Sequence, residues 1–307
     1  MEFKHLQEIQ EFTLEHLPDL DVCTLAALEL FCIKKPPRLH LEGLKRPLII
    51  GSGNALVIGK ILFAHSLALF SDESDYKSTL KFVDSAFLIS ASGTKHALEI
   101  AKTLKEKKLK TKLLTCTLHA PAKRYIHKGH FFLFPKNREP YTYNVSTYLG
   151  MILSKTKEHP KEILEFITTK IDPLIPKNLS SYDSFYFIIP SELKLISEMF
   201  LNKFDELFGS LVSCRCFTFE QTKHSKTLIP NKRELFISFG YENTLFGESR
   251  LNLPLPKAAN YAALFSIGYY IIGKIQAQHP PYFKENLVSY TKKASTIFGQ
   301  EIKPIVE

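Results

Sequence analysis

The chain has 307 residues, 45% hydrophobic and 23% charged, which excludes a disordered or fibrous polymer and leaves room for one large domain or two of about 150 residues. Its formal charge of +9 is compatible with nucleic acid, an anionic membrane surface or an anionic metabolite, and composition does not choose among these. No apolar run reaches the roughly 18 residues of a membrane helix and the start is acidic and amphipathic, so a soluble cytoplasmic protein without a membrane partner is expected.

Phe3, Leu6, Ile9 and Phe12 recur at helical spacing, and a more apolar helix over 21–33 stops at Lys34-Lys35-Pro36-Pro37, so residues 1–39 read as a helical preface. The short apolar run Pro47–Ile50 then meets Gly51-Ser52-Gly53-Asn54 and passes into a helical pattern from Ala55 to Phe70, the order strand, glycine turn, helix. The same grammar returns at Ala86–Ile89, Ser90-Ala91-Ser92-Gly93-Thr94 and a helix from Lys95 to Lys108, followed by strands at Thr111–Thr117 and His130–Phe134. Apolar strands alternating with helices predict a parallel sheet covered on both faces.

Helices over 142–157 and 160–170 lead to Asp172–Asn178, the best linker candidate, which sets a first domain at 40–171 and a second at 178–307. The second carries strands at Phe185–Pro190, Cys214–Phe219 and Leu235–Gly240, a helix over 191–208, and two terminal helices, 257–277 and 282–298, divided at His279-Pro280-Pro281. The expected architecture is α/β, with two tandem doubly wound parallel-sheet domains behind the N-terminal helices. Pro190-Ser191-Glu192 has no glycine where the first domain has its turns, so one anion loop per chain is expected.

Five scattered cysteines read as free, mostly buried thiols, and Cys214-Arg215-Cys216 lacks the second pair or histidines a zinc site recruits, so no metal is expected. The lysine run over 102–112 falls late on a helix and reads as a solvated face, and no nucleic-acid-binding pattern accompanies it. The chemistry concentrates at Ser90–Thr94. Unpaired N–H groups of a first helical turn favour an anion, Ser90, Ser92 and Thr94 add hydroxyls, and Gly93 lets the backbone approach a phosphate. An ordinary N-cap turn has the same letters.

A Gly-x-Gly turn after the first strand and Ser-x-Ser-Gly after the second resemble the sugar isomerase (SIS) family, over roughly residues 40–300. That resemblance implies two SIS-like, flavodoxin-like domains and a phosphorylated sugar as ligand, bound by Ser90, Ser92, Gly93 and Thr94. Lys95 stands where the family has a threonine and would pair with phosphate; Ala55 stands where its first loop has a serine, leaving Ser52 or Asn54 to substitute. The stretch from Glu139 to Thr147 is similar to the family's E...V-A-S-T segment, which would bring Ser146 to the sugar, and a plain helix start fits it equally.

By the same resemblance, a helical glutamate and a later histidine act on the sugar, and Glu206 and His224 stand 18 residues apart. Glu206 would be the base that moves a proton between C1 and C2 through an enediol; His224 would open the ring, reaching the site from the neighbouring subunit of a homodimer. An acidic pair on a lysine-rich helix and a solvated loop histidine look the same in sequence. The implied function is a phosphosugar isomerase, or related aminosugar-phosphate chemistry, without a cofactor. The alternative is a silent phosphosugar sensor.

Overall fold

The computed structural model describes residues 3–39, 44–94, 96–225 and 229–307. Helices α1 (Lys4–Glu11) and α2 (Leu20–Ile33) precede β1 (Pro47–Ile50), α3 (Asn54–Leu62), β2 (Leu69–Ser71), α4 (Tyr76–Thr79), β3 (Ser85–Ile89), α5 (His96–Glu106), β4 (Lys110–Thr115) and β5 (Phe131–Leu133). After β6 (Glu139–Pro140), α6 (Val145–Leu153) and α7 (Pro160–Phe166) come β7 (Ser184–Ile189), α8 (Ser197–Phe208), β8 (Ser213–Thr218), α9 (Phe219–His224) and β9 (Glu234–Phe239). The chain continues through β10 (Ser249–Leu253), α10 (Tyr261–Gln278), α11 (Tyr282–Phe298) and β11 (Ile305–Val306).

Two parallel sheets organise these elements, one in the order β2-β1-β3-β4-β5 and one in the order β10-β9-β7-β8. Their central strands β1, β3 and β7 are almost wholly apolar, with a serine only at the first residue of β3 and of β7, because both faces are covered. On β1 and β3, Leu48, Ile50, Ala86 and Leu88 turn to α5, whereas Ile49, Phe87 and Ile89 turn to the core shared with α3 and α6. In the second sheet Phe185 and Phe187 join that shared core with α8 and α10, and Tyr186, Ile188 and Phe236 pack on the outer face beside Phe219 of α9. The α/β, doubly wound architecture expected from the sequence is the one observed.

Helix α2 is buried among α6, α7 and α10. Gly273 permits this: a Cβ there would sit 1.9 Å from the Asp21 amide nitrogen, so any side chain would push α10 off α2. The helix read over 55–70 ends at Leu62, since Ser66 turns its hydroxyl onto the Phe63 carbonyl at 2.8 Å and the chain leaves to form the edge strand β2 against β1. Strand β10, at the edge of the second sheet, likewise lies outside the strands read from the sequence.

Candidate functional site

The loops leaving β1, β3 and β4 meet at the carboxyl ends of the first sheet, where open α/β sheets form their crevices. Ser90 keeps its amide in the ladder, donating to Leu114 O at 3.0 Å, while its Oγ accepts the Gly93 N–H at 3.1 Å and bends the loop back. Gly93 has φ +62°, and a Cβ at that position would come within 2.5 Å of the Ala120 Cβ. The loop is pinned from below by Thr115 Oγ1, which donates to Ala91 O at 2.9 Å, and by the Ala122 amide, which donates to Gly93 O at 3.1 Å. At the tip, the Ser92 and Thr94 hydroxyls pair at 2.7 Å.

These residues border a cavity of about 330 Å³ lined by Ser52, Ser90, Ser92, Thr94, Thr117 and Thr147, with His96, Lys136, Tyr141 and Tyr148 around them. Ala55 contributes a methyl group to its wall. Glu73, just past β2, brings a carboxylate that accepts the Ser52 hydroxyl at 2.5 Å. Phe298 and Val306 close one side, and β11 is held there by antiparallel pairing with β6. Cys116 also borders the cavity, but burial pushes its thiol up to about 12, so it is a neutral wall residue and not a nucleophile.

The segment Glu139–Thr147 is built around a buried carboxylate. Glu139 accepts the Val145 and Ser146 amides at 2.7 and 2.8 Å and so starts α6, while its own burial pushes its pKa up against those bonds. The Ser146 hydroxyl is turned away from the cavity and accepts the Asn137 amide at 2.9 Å; the next residue, Thr147, faces the cavity. Between Glu139 and Ser146 the chain passes through two positive-φ residues, Thr142 at φ +79° and Asn144 at φ +50°. Lys203, wholly buried on α8, holds this strained turn by donating to Thr142 O at 2.7 Å and Tyr143 O at 3.2 Å while pairing with Glu206.

Glu206 does not border the Ser90 cavity: it lines a separate one with Thr142, Phe208 and Tyr290 and pairs with the buried Lys203. Burial first, and the Glu206 charge among the lesser causes, raise the phenols of Tyr141 and Tyr148, both of which border the Ser90 cavity. His224 is elsewhere: it ends α9 on the outer face of the second sheet, after β8 leaves, whereas Glu206 lies on the inner face before β8 enters. One chain therefore does not bring these two residues together. Asn54 also lies apart from the cavity, its Oδ1 accepting from Asn202 of α8 at 2.8 Å, and Lys95 falls outside the described residues.

Glu73, Lys136, Thr147 and Lys203 escape sequence reasoning. Thr147 lies one residue after Ser146, and Lys203 three before Glu206 on the same helical face; those spacings are the available signals. Among the described residues no group of three or more His, Cys, Asp and Glu side chains is placed to hold a metal, and no helix is long and apolar enough to cross a membrane.

No protein-family model matches the sequence, and no curated protein is significantly similar to it. Solved structures do match its fold. A candidate phosphosugar isomerase of Clostridium difficile 630 superposes with TM-score 0.59 at 14% identity, covering 88% of this chain and 95% of that one. Tagatose-6-phosphate ketose/aldose isomerase of Escherichia coli gives 0.54 at 11% identity over 92% and 91% of the two chains. Glucosamine-6-phosphate deaminase of Thermotoga maritima gives 0.53 at 16% identity over 86% and 96%. The chain thus has the tandem SIS-like fold that these sugar-phosphate proteins share.

Proposed function

We propose that this protein binds a phosphorylated sugar, with the phosphate on the Ser90–Thr94 loop and the sugar reaching toward Thr147, Tyr141 and Tyr148. The supporting observation is convergence: hydroxyls following β1, β3 and β4 meet in one cavity at the carboxyl ends of parallel strands, with Lys136 beside them. Hydroxyls and a single ammonium suit a phosphate attached to a neutral polyol better than a fully charged polyanion. Glu73 opposes the anion, and its hold on Ser52 has to be released for that hydroxyl to turn inward. The fold's neighbours, named as a phosphosugar isomerase and an aminosugar-phosphate deaminase, favour the same ligand class.

Turnover is the further reading, taken from the resemblance, and it requires Glu206, which borders a separate cavity and pairs with Lys203, to gain access to the sugar. In it the Glu206 carboxylate takes the proton from C2 of the open aldose, the electron pair forms the enediol, and the proton returns to C1 to give the ketose. Ring opening by His224 then requires a second copy of the chain, because within one copy the histidine lies across the sheet. No cofactor enters this reading. A silent sensor would bind the same ligand and exchange no proton.

Solvent-deuterium exchange separates the two. Incubation with fructose 6-phosphate and related hexose and pentose phosphates in deuterated water should label C1 or C2 with the parent protein, and Glu206→Gln should abolish it. Binding without exchange for every sugar phosphate would leave the sensor.

A further inference from the structure

At the opposite end of the first sheet, a second cavity of about 490 Å³ opens where β4 and β5 begin. Lys105, Lys108, Lys110, Tyr125, His127 and His130 surround it, and among the described residues no carboxylate lines it. The six residues of β4, at roughly 3.3 Å each, put it about 20 Å from the Ser90 loop. Lys105 Nζ lies 5.7 Å from the centre of the Tyr125 ring, and the His127 and His130 rings are 6.3 Å apart. Burial first, then the charges of Lys110, Lys112 and His127, hold the His130 imidazole below its ordinary pKa.

Lys108 supplies an independent observation. It occupies the left-handed position that ends α5, at φ +57°, where its amide donates to Lys105 O at 2.9 Å and the Leu109 amide to Leu104 O at 3.0 Å. Glycine takes this position at no steric cost, and a side chain there is disfavoured. The lysine is thus kept against local preference at the rim of a cavity already lined with cations.

We propose that this cavity is a second anion site, for a small polyphosphate, separate from the sugar-phosphate cavity. Three ammonium groups and two imidazoles converge on one concavity instead of following a groove. That arrangement matches several linked phosphates in a compact ligand, and an extended nucleic-acid backbone would need charge spread along its path.

Titration calorimetry of the full chain with inorganic tripolyphosphate at fixed ionic strength tests this. One saturable site per chain is expected, weakened at least ten-fold by Lys108→Gly and by Lys105→Gln with Lys110→Gln, and unaffected by Ser90→Ala with Ser92→Ala. Lys108→Gly should melt no lower than the parent, since glycine relieves the backbone, so its loss of binding is not a loss of fold. Absence of saturable binding, equal binding by the lysine variants, or loss on changing the serines overturns the proposal. Tighter binding of a single-stranded RNA than of tripolyphosphate, with several phosphate groups bound per chain, would also overturn it in favour of a nucleic-acid surface.

Discussion

Gly93 shapes the Ser90–Thr94 loop through two constraints at once, a left-handed backbone and no room for a Cβ, which would come within 2.5 Å of the Ala120 Cβ. Gly93→Ala should lower stability by about 1–3 kcal/mol in denaturant titrations, the range for strain plus a local clash, and should weaken sugar-phosphate binding; an unchanged midpoint contradicts that role. Glu73 acts with the opposite sign. Removing its charge by Glu73→Gln should tighten sugar-phosphate binding by about 1 kcal/mol, roughly a factor of five, whereas weaker binding would mean that the carboxylate itself contacts the sugar. With the Cys116 thiol pushed up to about 12, about one in ten thousand is ionised at pH 8. The thiolate grows only as pH rises toward that value, so iodoacetamide should leave Cys116 of the folded protein unlabelled from pH 7 to 9, and rapid labelling there would contradict its buried, neutral state.

At the scale of elements, the decisive arrangement is the grip of α8 on the turn before α6. Lys203→Met removes two bonds from a buried ammonium to the carbonyls of Thr142 and Tyr143 and should cost at least about 2 kcal/mol. It should also reduce sugar-phosphate affinity, because Thr147 follows that turn; a variant equally stable and equally tight would show that the turn holds itself. Such a contact was not legible beforehand. A lysine in Asn202–Phe208 reads as a solvated charge, and its burial is decided by a turn some 60 residues away. The Ser90–Gly93 loop was legible because strand, small residues and helix are contiguous in the chain. Glu73 was not, since the three-residue β2 before it lay inside a helix-like pattern and its partner Ser52 is 21 residues distant. Ser146 shows the limit of a matched motif: one residue along a helix turns a side chain by about 100°, enough to exchange the cavity for the Asn137 amide.

For the whole molecule, the two sheets share one core through α2, α6, α8 and α10, while the cavity at the first sheet is closed on one side by Phe298 and Val306 from the end of the chain. Alternating apolar strands and helices made this architecture readable; the burial of α2 depends on Gly273 in a helix more than 200 residues later and was not. In the proposed isomerisation, Glu206 and His224 would come from two copies of the chain. Glu206→Gln and His224→Ala chains, each inactive alone, should then regain deuterium exchange when mixed and reassembled, and full activity of His224→Ala alone would remove the histidine from the reaction. The central claim, a phosphorylated sugar at the Ser90 loop, is tested most directly by thermal denaturation with a panel of sugar phosphates and their unphosphorylated counterparts. At one hundred times its Kd a ligand adds about 2.7 kcal/mol to stability, so at least one sugar phosphate should raise the parent's midpoint by several degrees, its free sugar should not, and Ser90→Ala with Ser92→Ala should lose the rise. No rise with any sugar phosphate, or the same rise in the double variant, would contradict the account.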